Sequence, residues 1–167
     1  MHAKPLKRNP GPNNPGQDAL VPVLGNWHAN LIRLDKSPIV LCVNDISLLA
    51  ILVPGRDFPN FVAAFQDRIA GRLGRMGLAA DTISAERAAM EIVQIQPSNS
   101  RSVLASMNDL VHHLKWRARD HFDFSEADAL EDMLSHTPMG ALKYQYAVEV
   151  ASAAFSHSRN AFRSDAS

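Results

Sequence analysis

The chain has 167 residues, of which 46% are hydrophobic and 20% charged, and its 17 basic residues balance its 17 acidic ones. This composition is typical of one soluble globular domain and excludes a wholly disordered chain. The zero net charge argues against nucleic-acid binding through bulk charge, but it leaves room for a local basic patch. The single cysteine, Cys42, excludes an intrachain disulfide and a thiolate zinc site.

The two ends of the chain differ in composition from the middle. Residues 1–22 hold five of the ten prolines and are predicted to form a flexible arm. Residues 23–156 are predicted to form a single α+β domain, and residues 157–167 a frayed tail. No stretch approaches the length of a membrane span, and the N-terminus lacks the apolar region of a secretory signal. We therefore expect a cytoplasmic protein without membrane contact.

Three short apolar segments follow the arm and predict an antiparallel meander. Polar and apolar residues partly alternate over Asn26–Leu34, and a turn signal at Asp35–Pro38 precedes the apolar run Ile39–Val43. The third segment, Ser47–Val53, is nearly as apolar. Continuous apolar runs favour strands that are buried on both faces, although the third segment also fits a short buried helix.

Helical patterns dominate the rest of the chain. Apolar residues recur at spacings of three and four from Phe58 to Met76, which predicts a helix with Asp57 as N-cap and Gly77 at its end. A shorter helix is predicted over Asp81–Met90.

Alternation over Glu91–Gln96 predicts a fourth strand, after which Ser98 begins the turn into a long helix. Two more helices are predicted near residues 125–135 and 144–157. The order of elements predicts an α+β fold, in which a small, mainly antiparallel sheet of about four strands has helices packed on one face.

The segment from residue 120 to residue 135 contains six acidic residues and no lysine or arginine. One interpretation is a helix start, because Ser125 is a plausible cap and the carboxylates that follow it suit the helix dipole. The alternative is a docking surface for a basic partner.

Three segments of the chain form a distinctive combination. They are Trp27–Leu31, then Leu41–Asp45 with Ser47 and Leu48, and finally Asn99–Leu110. Together they resemble a family of small bacterial proteins of unknown function, whose members share a Trp/Tyr-x-Ala-Asn-Leu strand and an Asn-Arg-Ser-Val-Leu-Gly-Ser-Met-Asn-Asp helix start. In this chain Ser100 splits the Asn-Arg pair and Ala105 stands at the Gly position. The resemblance covers residues 24–116 and implies an accessory factor of bacteria or of their mobile genetic elements, without an activity.

The predicted strand-to-helix turn at residues 97–102 is the strongest local feature. Free N–H groups and the dipole of a helix N-terminus attract anions, and an arginine there would complete a phosphate or carboxylate site. The alternative is that Ser98 or Ser100 caps the helix and Arg101 lies in solvent. Together with residues of the resemblance, the candidate ligand-binding set is Asn99, Ser100, Arg101, Ser102, Asn108, Asp109, Trp27, Asn44 and Asp45.

Metal and nucleophile chemistry have less support. Asp109 shares a helix face with His112 and His113. A third ligand, for which His28 and Asp45 are candidates, is not placed by the sequence, so neither a metal nor another cofactor is predicted. Cys42 lies in an apolar run that is typical of an inert thiol, and only a pairing with His28 would change this.

Two basic clusters are candidates for nucleic-acid contact. One is a helical stripe of arginines, and the other lies beside a tryptophan at the end of the long helix. Cations neutralise phosphates and tryptophan stacks on bases. The alternatives are a solvated helix face and cations that complement a helix C-terminus. The candidate residues are Arg68, Arg72, Arg75, Lys115, Trp116, Arg117 and Arg119.

These residues do not assemble into a complete catalytic set. That favours a small binding or regulatory accessory protein that acts through protein or nucleic-acid contact. The alternative is an enzyme of nuclease or hydrolase type, in which Arg101 binds a phosphate-containing substrate. In that case Asp109, with His112 or His113, would perform the acid–base chemistry. A homo-oligomer formed through apolar helix faces is a third alternative.

Overall fold

The structure of the chain is a computed structural model that describes residues 21–91, 96–98 and 100–164, with side chains up to residue 159. Within these residues, three strands come first and five α-helices follow, with short 3₁₀ helices among them. The predicted α+β class and the meander of three consecutive strands are confirmed. The predicted fourth strand, Glu91–Gln96, falls largely outside the described residues, as does most of the N-terminal arm.

The sheet is antiparallel and has the order β1 (Trp27–Leu34), β2 (Ser37–Asn44), β3 (Ala50–Pro54). A two-residue turn joins β1 to β2, and its first residue, Asp35, has a φ of 52°. Aspartate tolerates this left-handed region better than most residues, and such turns match the twist of paired strands. The third apolar segment pairs with β2 as β3, so its interpretation as a short buried helix is wrong.

Both faces of the sheet are covered, which corrects the prediction of helices on one face. Side chains alternate along β2, so that Ile39, Leu41 and Val43 join one apolar cluster while Val40 and Cys42 join another. All five are buried. Because neither side of β2 is polar, a helical layer on one face would leave the other apolar face in water.

Five helices supply the two layers. Their ranges are α1 (Phe61–Arg75), α2 (Ala80–Ala89), α3 (Arg101–Arg117), α4 (Ala127–Ser135) and α5 (Ala147–Ser164). Residues of α3 and α4 belong to the cluster that contains Leu41, whereas residues of α1 and α5 belong to the cluster that contains Cys42. The sheet is therefore the middle layer of the described domain.

The ends of α1 show where the helix prediction succeeds. Gly77 has a φ of +80°, and its N–H donates to the carbonyl of Gly74 at 2.9 Å. The N–H of Leu78 donates to the carbonyl of Leu73 at 3.2 Å, which completes a Schellman motif. The predicted end of the helix is confirmed. The predicted cap at Asp57 is wrong, because a 3₁₀ helix over Gly55–Asn60 precedes α1.

The C-terminal helix is longer than predicted. α5 continues through Ser164, past the predicted helix end at residue 157. Before it, Lys143 and Tyr144 have φ values of 52° and 66°, so the chain reverses through two left-handed residues. None of the described helices is long and apolar enough to cross a membrane.

Candidate functional site

The N-terminal turn of α3 is closed by a serine cap. The hydroxyl of Ser100 accepts a hydrogen bond from the N–H of Val103 at 3.4 Å, while Arg101 and Ser102 are exposed. Just before this turn, the hydroxyl of Ser98 is 2.6 Å from Nδ1 of His28, which ties the helix start to β1. Asn99 lies outside the described residues. The arrangement agrees with the capping interpretation and leaves Arg101 open to solvent.

Three other candidate ligand residues meet at one end of the sheet. Trp27 stands directly opposite Asn44 in the β1–β2 register, and the N–H of Asp45 donates to the carbonyl of Asn26 at 3.1 Å. The Trp27 ring packs edge-on against Phe65, with ring centroids 5.1 Å apart. The structure thus brings Trp27, Asn44 and Asp45 together, but the tryptophan ring faces the apolar cluster of α1.

Asn44 is fully buried and organises the turn between β2 and β3. Its Nδ2 donates to the carbonyls of Leu24 and Asn26 at 2.6 and 3.0 Å. Its Oδ1 accepts from the N–H of Ile46 at 3.2 Å, and from the N–H and hydroxyl of Ser47, each at 2.8 Å. A buried amide with this many partners shapes a loop. Within Leu41–Asp45, one of the segments that carry the resemblance, Asn44 therefore has a structural role.

A buried carboxylate holds the beginning of the described chain. Glu86 of α2 is 3% exposed and accepts from the N–H groups of Val23 at 2.7 Å and Leu24 at 3.1 Å. Burial raises the pKa of Glu86 above its usual value, and the two N–H donors oppose this shift only in part. The sequence offered no sign of this contact, because a lone glutamate on a short helix is normally exposed.

The predicted arginine stripe lies against the acidic helix α4. Arg68 is 2.5 Å from Glu131, Arg75 is 2.5 Å from the same carboxylate, and Arg72 pairs with Asp132. Glu131 is fully buried and Arg72 is 2% exposed. These residues form what we call the α1–α4 ionic cluster. The arginine stripe of α1 is therefore paired with carboxylates inside the protein. The same pairing accounts for much of the acidic segment.

Glu131 also closes the outer edge of the sheet. Its carboxylate accepts from the N–H of Leu52 at 2.9 Å, and the carbonyl of Leu52 accepts from Nε of Arg68 at 3.0 Å. Unpaired groups on an edge strand invite association with other strands. The α1–α4 ionic cluster therefore provides hydrogen-bond partners for the N–H and the carbonyl of the central residue of β3. The sequence held a signal for this pairing that the predictions above did not use. The spacing of the arginines at 68, 72 and 75 complements that of the acidic residues at 128, 131 and 132.

The acidic segment begins with a cap that differs from the prediction. Asp123, not Ser125, caps the short 3₁₀ helix Phe124–Glu126 that leads into α4, because its Oδ1 accepts from the N–H of Ser125 at 2.8 Å. The side chain and N–H of Ser125 lower the pKa of Asp123. The helix-start interpretation therefore holds in a modified form.

Most of the remaining candidate ligand and nucleic-acid residues lie along the exposed surface of α3. The helix buries Val103, Met107, Leu110 and Leu114. Exposed residues run along the rest of the helix, and we call them the α3 surface: Arg101, Asn108, Asp109, His112, Lys115 and Trp116 on the side away from the core, with Arg117 and Arg119 exposed at the C-terminal end. Two sets that the sequence left separate, the ligand candidates and the second basic cluster, thus share one surface about 24 Å long.

Cations of the α3 surface differ from those of α1. Arg119 is 3.2 Å from its neighbour Asp120, a pair in which both side chains are exposed. Among the described residues, neither Lys115 nor Arg117 has a carboxylate within 4.0 Å. Trp116, between them, is 69% exposed. This part of the α3 surface combines available cations with an uncovered aromatic ring.

Among the described residues, the structure assembles neither a metal site nor a reactive thiol. In the part of the chain that the structure describes, no group of three His, Cys, Asp or Glu side chains could hold a metal ion. Cys42 is buried among apolar residues, and burial raises the pKa of its thiol, with a smaller effect from Glu131. His28 stands opposite Val43, so its side chain lies on the other face of the sheet from Cys42. The considered Cys–His pair is therefore wrong.

One described cavity of about 310 Å³ lies between the α1–α2 connection and α5. Gly77, Thr82, Phe155 and Arg159 contribute to its walls. None of the candidate ligand or nucleic-acid residues lines it, so it does not enclose the predicted site.

Fold and surface together define a small three-layer α+β protein with an exposed basic helix surface. The profile of a family described as "Domain of unknown function (DUF6933)" matches residues 2–150. Because this match spans most of the chain, the protein belongs to that family, and the resemblance to a family of unknown function is confirmed. Comparison with curated proteins gives no match, and comparison with solved structures gives none either.

Proposed function

We propose that the protein is a cytoplasmic accessory module that binds nucleic acid, and that the C-terminal half of the α3 surface is its contact region. The observation that supports this proposal is the contrast between two basic clusters. The arginines of α1 are neutralised by α4, whereas Lys115 and Arg117 flank an exposed tryptophan without a carboxylate partner among the described residues. Cations that no internal carboxylate uses are available to phosphates.

Local charge is more informative than total charge for this proposal. Asp132 and Glu131 are engaged by arginines, so the acidic segment does not present all its charge to solvent. The α3 surface keeps its lysine and arginines exposed. A zero net charge limits long-range attraction, so we expect binding of modest strength that weakens as salt increases.

Fluorescence anisotropy with labelled oligonucleotides, single-stranded and duplex, tests this proposal on the full chain. The double variant Lys115→Ala/Arg117→Ala is expected to bind more weakly and to lower the salt dependence, d log K/d log[salt], by about 1 to 2. The matched control is Arg33→Ala/Lys36→Ala, which removes two exposed cations near the β1–β2 turn and is expected to bind like the wild type. Urea unfolding confirms that both variants remain folded.

Two results would contradict the proposal. One is the absence of oligonucleotide binding at low salt. The other is an equal loss of binding in both double variants, since that would show an effect of total charge. A glutamate-rich peptide provides the comparison with a protein partner: if it binds more tightly than either oligonucleotide, the α3 surface recognises acidic protein instead.

A further inference from the structure

We propose that the nucleic acid bound at the α3 surface is single-stranded, and that one of its bases stacks on the indole ring of Trp116. This inference rests on the proposed function and names the class of ligand within it. The two tryptophans of the chain differ sharply: Trp27 packs against Phe65, whereas Trp116 is 69% exposed. An indole ring in water is a large apolar surface that a planar partner can cover.

The position of Trp116 on α3 directs its ring away from the core. Leu114, two residues earlier, is fully buried in the cluster beneath the sheet. Two residues on an α-helix differ by about 200° in direction, so Trp116 projects almost opposite to Leu114. The fold therefore gives the ring no role in the core on which α3 packs.

Three cations lie close to Trp116 in sequence. Lys115 and Arg117 precede and follow Trp116 and project about 100° to either side of it, and Arg119 lies two residues beyond the last residue of α3. Single-strand binding proteins place aromatic rings for bases beside cations for the flanking phosphates. The same elements occur here within the five residues 115–119, at the C-terminal end of α3.

A duplex fits this surface less well. Its base faces are stacked on one another, so an exposed indole ring has nothing to stack on, whereas every base of a single strand has an accessible face. Recognition of duplex by charge alone commonly engages about 6 to 10 phosphates. Near Trp116, Lys115 and Arg117 have no carboxylate partner among the described residues, and the third cation, Arg119, is paired with Asp120. Base stacking therefore supplies binding free energy that so few charges do not provide.

Substitutions of Trp116 in the full chain test the inference, with a thymidine oligonucleotide of about 12 nucleotides, a length within usual site sizes, and a duplex of equal length. Trp116→Phe retains an aromatic ring, and Trp116→Leu retains apolar bulk without one. We expect the single strand to bind more tightly than the duplex. Trp116→Phe is expected to stay within a few-fold of the wild type, and Trp116→Leu to lose about tenfold or more. Tryptophan emission should fall on binding in the wild type but not in Trp116→Phe, in which Trp27 remains.

The outcomes separate this inference from the proposed function. Equal or tighter binding of the duplex, or a Trp116→Leu variant that binds the single strand like the wild type, would overturn base stacking but leave nucleic-acid binding in place. Absence of binding to both probes would overturn the proposed function and this inference with it. Tighter binding of a glutamate-rich peptide than of either oligonucleotide would assign the surface to a protein.

Discussion

Removal of the Glu131 carboxylate should unfold the protein more easily than any change to its exposed acidic neighbours. Glu131 is fully buried, and it accepts from Leu52, Arg68 and Arg75 at 2.9, 2.5 and 2.5 Å. In Glu131→Ala, the N–H of Leu52 loses its partner inside the protein, and the two guanidinium groups lose their buried counter-charge. Breaking a buried pair in this way costs about 3–5 kcal/mol in the free energy of unfolding.

Asp128→Ala is the matched control on the same helix. Asp128 contacts the same two arginines, at 2.9 and 3.0 Å, but its side chain is 51% exposed. Solvent screening limits such a pair to about 1 kcal/mol or less. Glu131→Gln separates the two effects, because the glutamine oxygen can still accept from the N–H of Leu52 while the charge is lost.

Urea unfolding followed by circular dichroism measures all three variants. We expect the free energy of unfolding to decrease in the order wild type, Asp128→Ala, Glu131→Gln, Glu131→Ala. A cost of about 4 kcal/mol corresponds to a fall of about 8–16 °C in Tm for a domain of this size. If Glu131→Ala loses no more stability than Asp128→Ala, then the α1–α4 ionic cluster does not stabilise β3 and this reasoning is refuted.

Two further predictions concern Glu86 and Gly77. Because the folded-state pKa of Glu86 is raised, its contribution to stability is present below the ordinary glutamate pKa of about 4.3 and is lost as the pH rises through the folded-state pKa. Glu86→Gln should lack this loss of stability with rising pH. Urea midpoints measured for the wild type and the variant across a pH series test this, and parallel pH profiles would contradict it. Gly77→Ala should cost about 1–2 kcal/mol, because its φ is +80° although no atom would meet the added methyl. Gly140→Ala, equally open but without a positive φ, should be neutral or slightly stabilising, so equal costs in thermal unfolding would argue against backbone strain.

Local patterns predicted much of the fold correctly. The apolar runs of β2 and β3, the turn at Asp35 and the helix end at Gly77 each depend on residues that are neighbours in sequence. The same runs implied burial on both faces, so the correct arrangement of helices on two sides was contained in the pattern of β2. The prediction that helices pack on only one face of the sheet did not take this implied burial into account.

The candidate site was harder to predict, because exposure and pairing depend on contacts between distant segments. Arg72 and Trp116 were both candidates for nucleic-acid contact, and nothing in their own neighbourhoods distinguished them. The structure buries Arg72 against α4 and leaves Trp116 in solvent. Asn44, a candidate ligand residue, became the organiser of a turn, because its partners come from two separate parts of the chain.

By itself, the sequence determined the class of fold, the order of its elements and the balance of its charges, since these follow from composition and from the periodicity of neighbouring residues. Tertiary structure alone decided how those charges are used. Docking of α1 against α4 sets Arg68 and Arg75 against Glu131, residues about sixty positions apart, and pairs these two cations with a carboxylate inside the fold. The α3 surface keeps its cations because its helix meets the sheet with the apolar side, which leaves Trp116 and its neighbours facing water.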